Sequence, residues 1–167
     1  NPDGSEGIVF MAEKIHKNGC FKWTHPVHEI LTPTQNIEYL TIDLPNIQLN
    51  HRADDTKSRS NYLPLLELSV QEDPSDDRNM HYLGREYMFH GEYDKAIKTL
   101  KRHLKLPRAT WNEERAASMR YIADCYGYKG QHKKQEEYLL RAILEANYVR
   151  EPYFQLAKFY YEQKDYL

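Results

Sequence analysis

Two stretches of the N-terminal half carry side chains too polar for packing alone to explain. The first is Trp23-x-x-Pro26-Val27-His28-Glu29. The second is Ile47-x-x-x-His51, followed by Asp54, Lys57, Arg59 and Asn61 and then by the apolar Leu63-x-Leu65-Leu66. Carboxylates and imidazoles are the side chains that move protons, imidazole also ligates metals, and Lys and Arg neutralise phosphate charge. Each residue also has a structural alternative. Trp23 can anchor a core beside a hairpin, Glu29 can cap a helix or pair with a cation, and Lys57 and Arg59 can be the solvated start of a helix. His16, His25, His81, His90, His103 and His132 show no ligand spacing with one another. Cys20 and Cys125 lie in no CxxC or Cys/His arrangement, so they are read as free thiols without a role.

The elements that must hold these groups differ between the two halves. Before residue 50 the apolar runs are short and separated by turn residues, the pattern of strands rather than helices. Ile8 to Met11 and Cys20 to Trp23 flank Lys17-Asn18-Gly19, which predicts a short hairpin. A third strand is expected over Ile47 to His51. Asp54 or Asp55 can then cap a helix through Leu63, Leu66 and Val70, in which Pro64 demands a late start or a kink, and Pro74 closes it.

Beyond Pro74 the chain repeats itself. Leu83-Gly84-x-x-Tyr87, Ile122-Ala123-x-x-Tyr126 and Leu156-Ala157-x-x-Tyr160 align, with starts 39 and then 34 residues apart. The second spacing is that of a tetratricopeptide unit, and the three segments resemble tetratricopeptide repeats. Paired antiparallel helices need small residues where they approach, here Gly84, Ala123 and Ala157 against Ala96 and Ala142, while Gly91 and Gly130 suit the turns between them. Helices are expected at 78–90, 93–105, 113–129, 132–145 and 150–162, with a longer loop around Pro107 to Trp111. Gln135 stands where a small residue is expected, which weakens the second unit. The third unit stops at Leu167 before its second helix, leaving either an unpaired terminal helix or a piece cut from a longer protein, and the exposed apolar face favours the cut. Tyrosines at helical spacing, among them Tyr126 and Tyr138, read as core, with an aromatic ligand groove on the concave face as the alternative.

Charge is uneven along the 167 residues. Residues 1–93 carry 8 Lys/Arg against 15 Asp/Glu, residues 94–141 carry 12 against 6, and residues 142–167 carry 3 against 4. The basic middle could attract phosphates or an acidic partner, although most such residues on helices simply face solvent. No nucleic-acid motif accompanies it, so no nucleic-acid partner is expected. No apolar run approaches membrane-spanning length and the N-terminus lacks a secretion-signal pattern, which predicts no membrane span and a cytoplasmic location.

Taken in order, WTHPVHEIL, a strand ending in His, KSRSNYLPLLE and HYLGREY running into the repeats resemble the C-terminal part of a bacterial family-two glycosyltransferase. The resemblance implies an α+β fragment leading into an all-α helical-repeat array: residues 1–75 as the C-terminal remnant of a GT-A α/β domain, and 76–167 as tetratricopeptide-like helix pairs with an incomplete third unit. It further implies metal-dependent inverting transfer of a sugar from a nucleotide-sugar donor to a saccharide or protein acceptor. Glu29 would be the catalytic base, with His28 orienting it or touching the acceptor. His51 would ligate a divalent metal, Mn or Mg, while Lys57 and Arg59 would hold the diphosphate from an acid-flanked loop and Trp23 would contact the donor. The nucleotide-binding half and an Asp-x-Asp motif are not found in these residues, so the fragment alone is expected to be inactive. The alternative is a non-enzymatic tetratricopeptide adaptor, capped by residues 1–75 and binding a peptide or protein on its concave face. Glu29 and His51 facing one open cleft would favour the enzyme, and their separation the adaptor.

Overall fold

The computed structural model describes residues 15–27, 29–47 and 62–163. Two compact units divide between Arg59 and Ser60, ahead of the 75/76 boundary read from the sequence, because the helix before Pro74 packs on the helix after it.

In the first unit β1 (Phe21–Thr24) pairs antiparallel with β2 (Ile30–Pro33), in the register Phe21↔Pro33, Lys22↔Thr32, Trp23↔Leu31 and Thr24↔Ile30. The Thr24 and Thr32 hydroxyls share a hydrogen bond of 2.9 Å. The strand expected over Cys20 to Trp23 therefore exists, shifted by one residue, but its partner lies downstream. Its expected upstream partner, Ile8 to Met11, falls outside the described residues. Gly19 does adopt positive φ, +76°, in the turn that leads into β1. The connection from β1 to β2 is the His25–Glu29 segment itself, entered through His25 at φ +73°. Of the expected third strand, Ile47 is exposed irregular backbone, and Gln48 to His51 lie outside the described residues.

The second unit is built from α1 (Tyr62–Glu72), α2 (Asp77–Phe89), α3 (Tyr93–His103), α4 (Asn112–Tyr128), α5 (His132–Glu145) and α6 (Arg150–Gln163). Each packs on the next, and α2 also meets α4. As described, α1 runs from Tyr62, with Pro64 near its start, where a missing N–H costs nothing, while the cap candidates Asp54 and Asp55 lie outside the described residues. Asp76 caps α2 by accepting from the Asn79 backbone N–H at 2.9 Å. The two helix pairs close in the same way. After α2 the Gly91 N–H donates to Met88 O and the Glu92 N–H to Tyr87 O; after α4 the Gly130 N–H donates to Gly127 O and the Gln131 N–H to Tyr126 O. These are Schellman closures, with the glycines at φ +75° and +66°. The longer loop between pairs is pinned by Arg115, whose Nη1 donates to Leu104 O and Ala109 O at 3.1 and 3.0 Å.

Gly84 is the point of closest approach between α2 and α3: a Cβ there would stand 2.5 Å from Leu100 Cγ. Gln135 is accommodated by the helix opposite it, since Gly127 leaves room where a Cβ would meet the Gln135 side chain at 2.8 Å. The core threads through Leu66, Met80, Leu100, Ile122, Leu139 and Ala142, all at most 1% exposed. On α6, Phe159 and Pro152 are buried while Ala157, Phe154 and Tyr161 are exposed.

Candidate functional site

Of the site residues picked out by the sequence, Trp23 and Glu29 lie among the described residues. Trp23 on β1 is 48% exposed, edge-on to His16 with ring centroids 6.1 Å apart, and so is no core anchor. Glu29 is exposed at the end of the hairpin connection. His28, His51, Lys57 and Arg59 lie outside the described residues.

A groove of about 590 Å³ lies instead in the helical unit, walled by Lys101, Leu104 and Lys105 from the end of α3, Met119 from α4, and Tyr138, Arg141, Leu144 and Glu145 from α5. It is built by the repeat geometry: α3 and α5 are the second helices of successive pairs, and their outward rows face each other across α4. Lys101 Nζ donates to the Tyr126 hydroxyl at 2.8 Å and lies 5.4 Å from the ring centroids of both Tyr126 and Tyr138. Lys134 stands over Tyr126 at 5.2 Å and Arg141 over Tyr138 at 5.1 Å. The tyrosine faces hold these cations by their quadrupoles without consuming their charge. The Tyr126 hydrogen bond raises the Lys101 pKa above its ordinary value against a smaller opposing effect of burial, so the ammonium stays protonated. Glu145, the one carboxylate of the wall, is tied up by Arg115. The result is an apolar floor under three cations. The sequence signals for it were the basic middle segment and the tyrosine spacing, but neither says which charges share a face.

A second polar group lies inside the molecule. His81 of α2, His103 of α3 and Glu114 of α4 each bring one donor atom to within 4.8 Å of the others. Ser118 Oγ bridges the Nδ1 atoms of His81 and His103, at 2.7 and 2.9 Å. His103 Nε2 stands 3.3 Å from Glu114 Oε1, yet it makes no hydrogen bond of acceptable geometry. His103 is 0% and His81 5% exposed. Burial pushes the Glu114 carboxyl up, but the adjacent His103 imidazole, His81 and Arg78 outweigh it and hold the group below its ordinary value. Spacings of 22 and 11 residues on three different helices leave no linear motif.

No family model and no curated protein matches the chain. Solved structures do. MamA superposes with a TM-score of 0.51 at 19% identity over 62% of this chain, and a second MamA structure gives 0.50. The N-terminal domain of stress-induced protein-1 from C. elegans gives 0.52 at 11% identity over 57% of this chain and 76% of its own. The chain spans 57% of the length of the first MamA chain. At these identities the likeness is one of fold, and the fold is a tetratricopeptide-like helical array. These neighbours overturn the glycosyltransferase reading and with it the transferase activity, and leave the GT-A remnant without support: the structural matches are helical-repeat proteins, and none of the findings points to a glycosyltransferase. The nucleotide-sugar and saccharide partners find no support either. Physically, WTHPVHEIL forms a two-stranded hairpin and its loop, rather than the edge of a nucleotide-binding sheet. Among the described residues no helix is long and apolar enough to cross a membrane.

Proposed function

We propose that the chain is a non-enzymatic adaptor of the tetratricopeptide type, whose stacked helix pairs receive an acidic segment of a partner protein. The observation that carries this reading is the groove between α3 and α5, which Lys101, Lys105 and Arg141 line together with an apolar floor of Leu104 and Met119 and the exposed Leu144. Stacked helical hairpins present such surfaces to peptides, and the charge selects the sign of the ligand while the floor accepts its apolar side chains. Titration calorimetry against a panel of short peptides of matched length tests it. Acidic peptides with interspersed apolar residues are expected to bind and to weaken with added salt, and basic or neutral peptides to fail. Reversing all three charges (Lys101→Glu, Lys105→Glu, Arg141→Glu) should reduce affinity roughly tenfold or more, since exposed ion pairs are each worth about 0.2–1 kcal/mol. Binding indifferent to peptide charge, or unchanged in a folded triple variant, would exclude the reading.

A further inference from the structure

We propose that His81, His103 and Glu114 form a binding site for a divalent transition metal, zinc by its donor set, which ties α2, α3 and α4 together at the junction of the first two helix pairs. The donors are two imidazoles and a carboxylate, the set that suits zinc rather than the oxygen-seeking magnesium or calcium. With metal–ligand bonds of about 2.0–2.2 Å, neighbouring corners of a tetrahedron stand about 3.3–3.5 Å apart. His103 Nε2 and Glu114 Oε1 already have that separation, 3.3 Å. A histidine that simply donated to the carboxylate would align its N–H on the oxygen. Here the buried Nε2 makes no hydrogen bond among the described residues, although the Glu114 oxygen stands within reach.

The surroundings are arranged for the same purpose. Ser118 engages Nδ1 of both rings, and a hydrogen bond at one ring nitrogen sets ring orientation and tautomer for ligation at the other. For both rings to ligate at the other nitrogen, each must carry its proton on Nδ1 and donate it to Ser118 Oγ, whose two lone pairs accept both bonds. Glu114 brings the one carboxylate of the set, whose negative charge would offset that of a buried cation. The Glu114 side chain is 10% exposed and sits in the first turn of α4, which gives an ion a route from solvent. Three protein donors leave one position of a tetrahedron for water. Burial of both rings keeps larger molecules out, so the role is structural: one ion replaces long-range contacts between residues 22 and 33 positions apart.

The test strips the full chain with a chelator and titrates zinc against a chromophoric competitor, with cobalt as a spectroscopic substitute and thermal unfolding in parallel. The expected results are one tight zinc per chain, visible cobalt d–d bands of a four- or five-coordinate site, and a Tm raised by more than about 5 °C at saturating zinc. Glu114→Gln and His103→Gln should each weaken zinc at least tenfold and lose the cobalt bands, and Ser118→Ala should weaken it by about tenfold. Should His103→Gln fail to fold, Glu114→Gln, in a first helical turn, still decides. A variant with His16, His25, His90 and His132 all changed to Asn should bind as the parent does. The proposal is overturned if the stripped chain takes up no stoichiometric zinc, if Glu114→Gln binds it as tightly as the parent, or if the surface-histidine variant loses it.

Discussion

At the scale of single residues, burial decides which groups are chemically quiet. The Cys125 thiol is 0% exposed, and burial, reinforced by the neighbouring Asp124 carboxylate, pushes its pKa up to about 12, far from a reactive thiolate. Asp124 itself is raised, chiefly by desolvation, with Arg120, Gln155 and Lys158 only partly offsetting it. A carboxyl whose folded pKa exceeds its unfolded value destabilises the fold wherever it must be charged. That cost is full above the folded pKa and vanishes as the pH falls through it toward the ordinary 3.8. Asp124→Asn keeps the shape and an oxygen that accepts from Gln155 Nε2, at 3.3 Å in the parent. It is therefore expected to unfold at a higher urea concentration than the parent at pH 7, with the difference shrinking as the pH approaches 3.8. Equal midpoints at pH 7 would contradict this. A Glu beside a His has the right types for acid–base work, but types alone do not make a site: Glu29 itself is exposed in the hairpin connection, in contact with water.

At the scale of elements, helix pairs are set by where backbones can touch. Gly84 lets α3 lie so close that a methyl group would overlap Leu100 Cγ and Cδ2 at 2.5 and 2.6 Å. Gly84→Ala gains helix propensity of about 1 kcal/mol but must force α2 and α3 apart, an overpacking cost of about 1–3 kcal/mol. A net loss of stability of up to about 2 kcal/mol in urea denaturation is expected, whereas a stabilised Gly84→Ala would show that the contact yields freely. The second pair solves the same contact differently. Gln135 departs from the repeat pattern, and Gly127, one turn beyond Ala123, supplies the missing space. In sequence the departure looks like a weakened repeat, whereas in the packed pair it is a compensated one. The hairpin shows the reverse. Lys17-Asn18-Gly19 is a sound turn signal, and Gly19 does turn, but nothing in it foretells that β1 pairs with Ile30–Pro33 further along the chain.

At the scale of the whole molecule, an array of helix pairs is held by nearest neighbours, so an element covered on one side opens before one covered on both. Among the described residues α6 packs on α5 and leaves Ala157, Phe154 and Tyr161 exposed, while α4 and α5 are covered on both sides. Hydrogen exchange should accordingly be faster in α6 than in α4 and α5, and uniform protection across the three would count against this. The repeat was legible before any packing was known: the helix bounds, the glycine turns at 91 and 130, the long loop after α3 and the small contact residues Gly84, Ala96, Ala123 and Ala142, though not Ala157, which is exposed. These are legible because helical period, capping and close approach are local rules that act over fewer than about forty residues. The order of short motifs in the first half obeys no such rule, and the glycosyltransferase reading built on that order did not survive. Only the tertiary structure decided which strand β1 pairs with, which cations share the groove between α3 and α5, and that His81, His103 and Glu114 meet. Each of these depends on faces brought together by packing between helices or strands, and a linear spacing carries no record of which faces will meet.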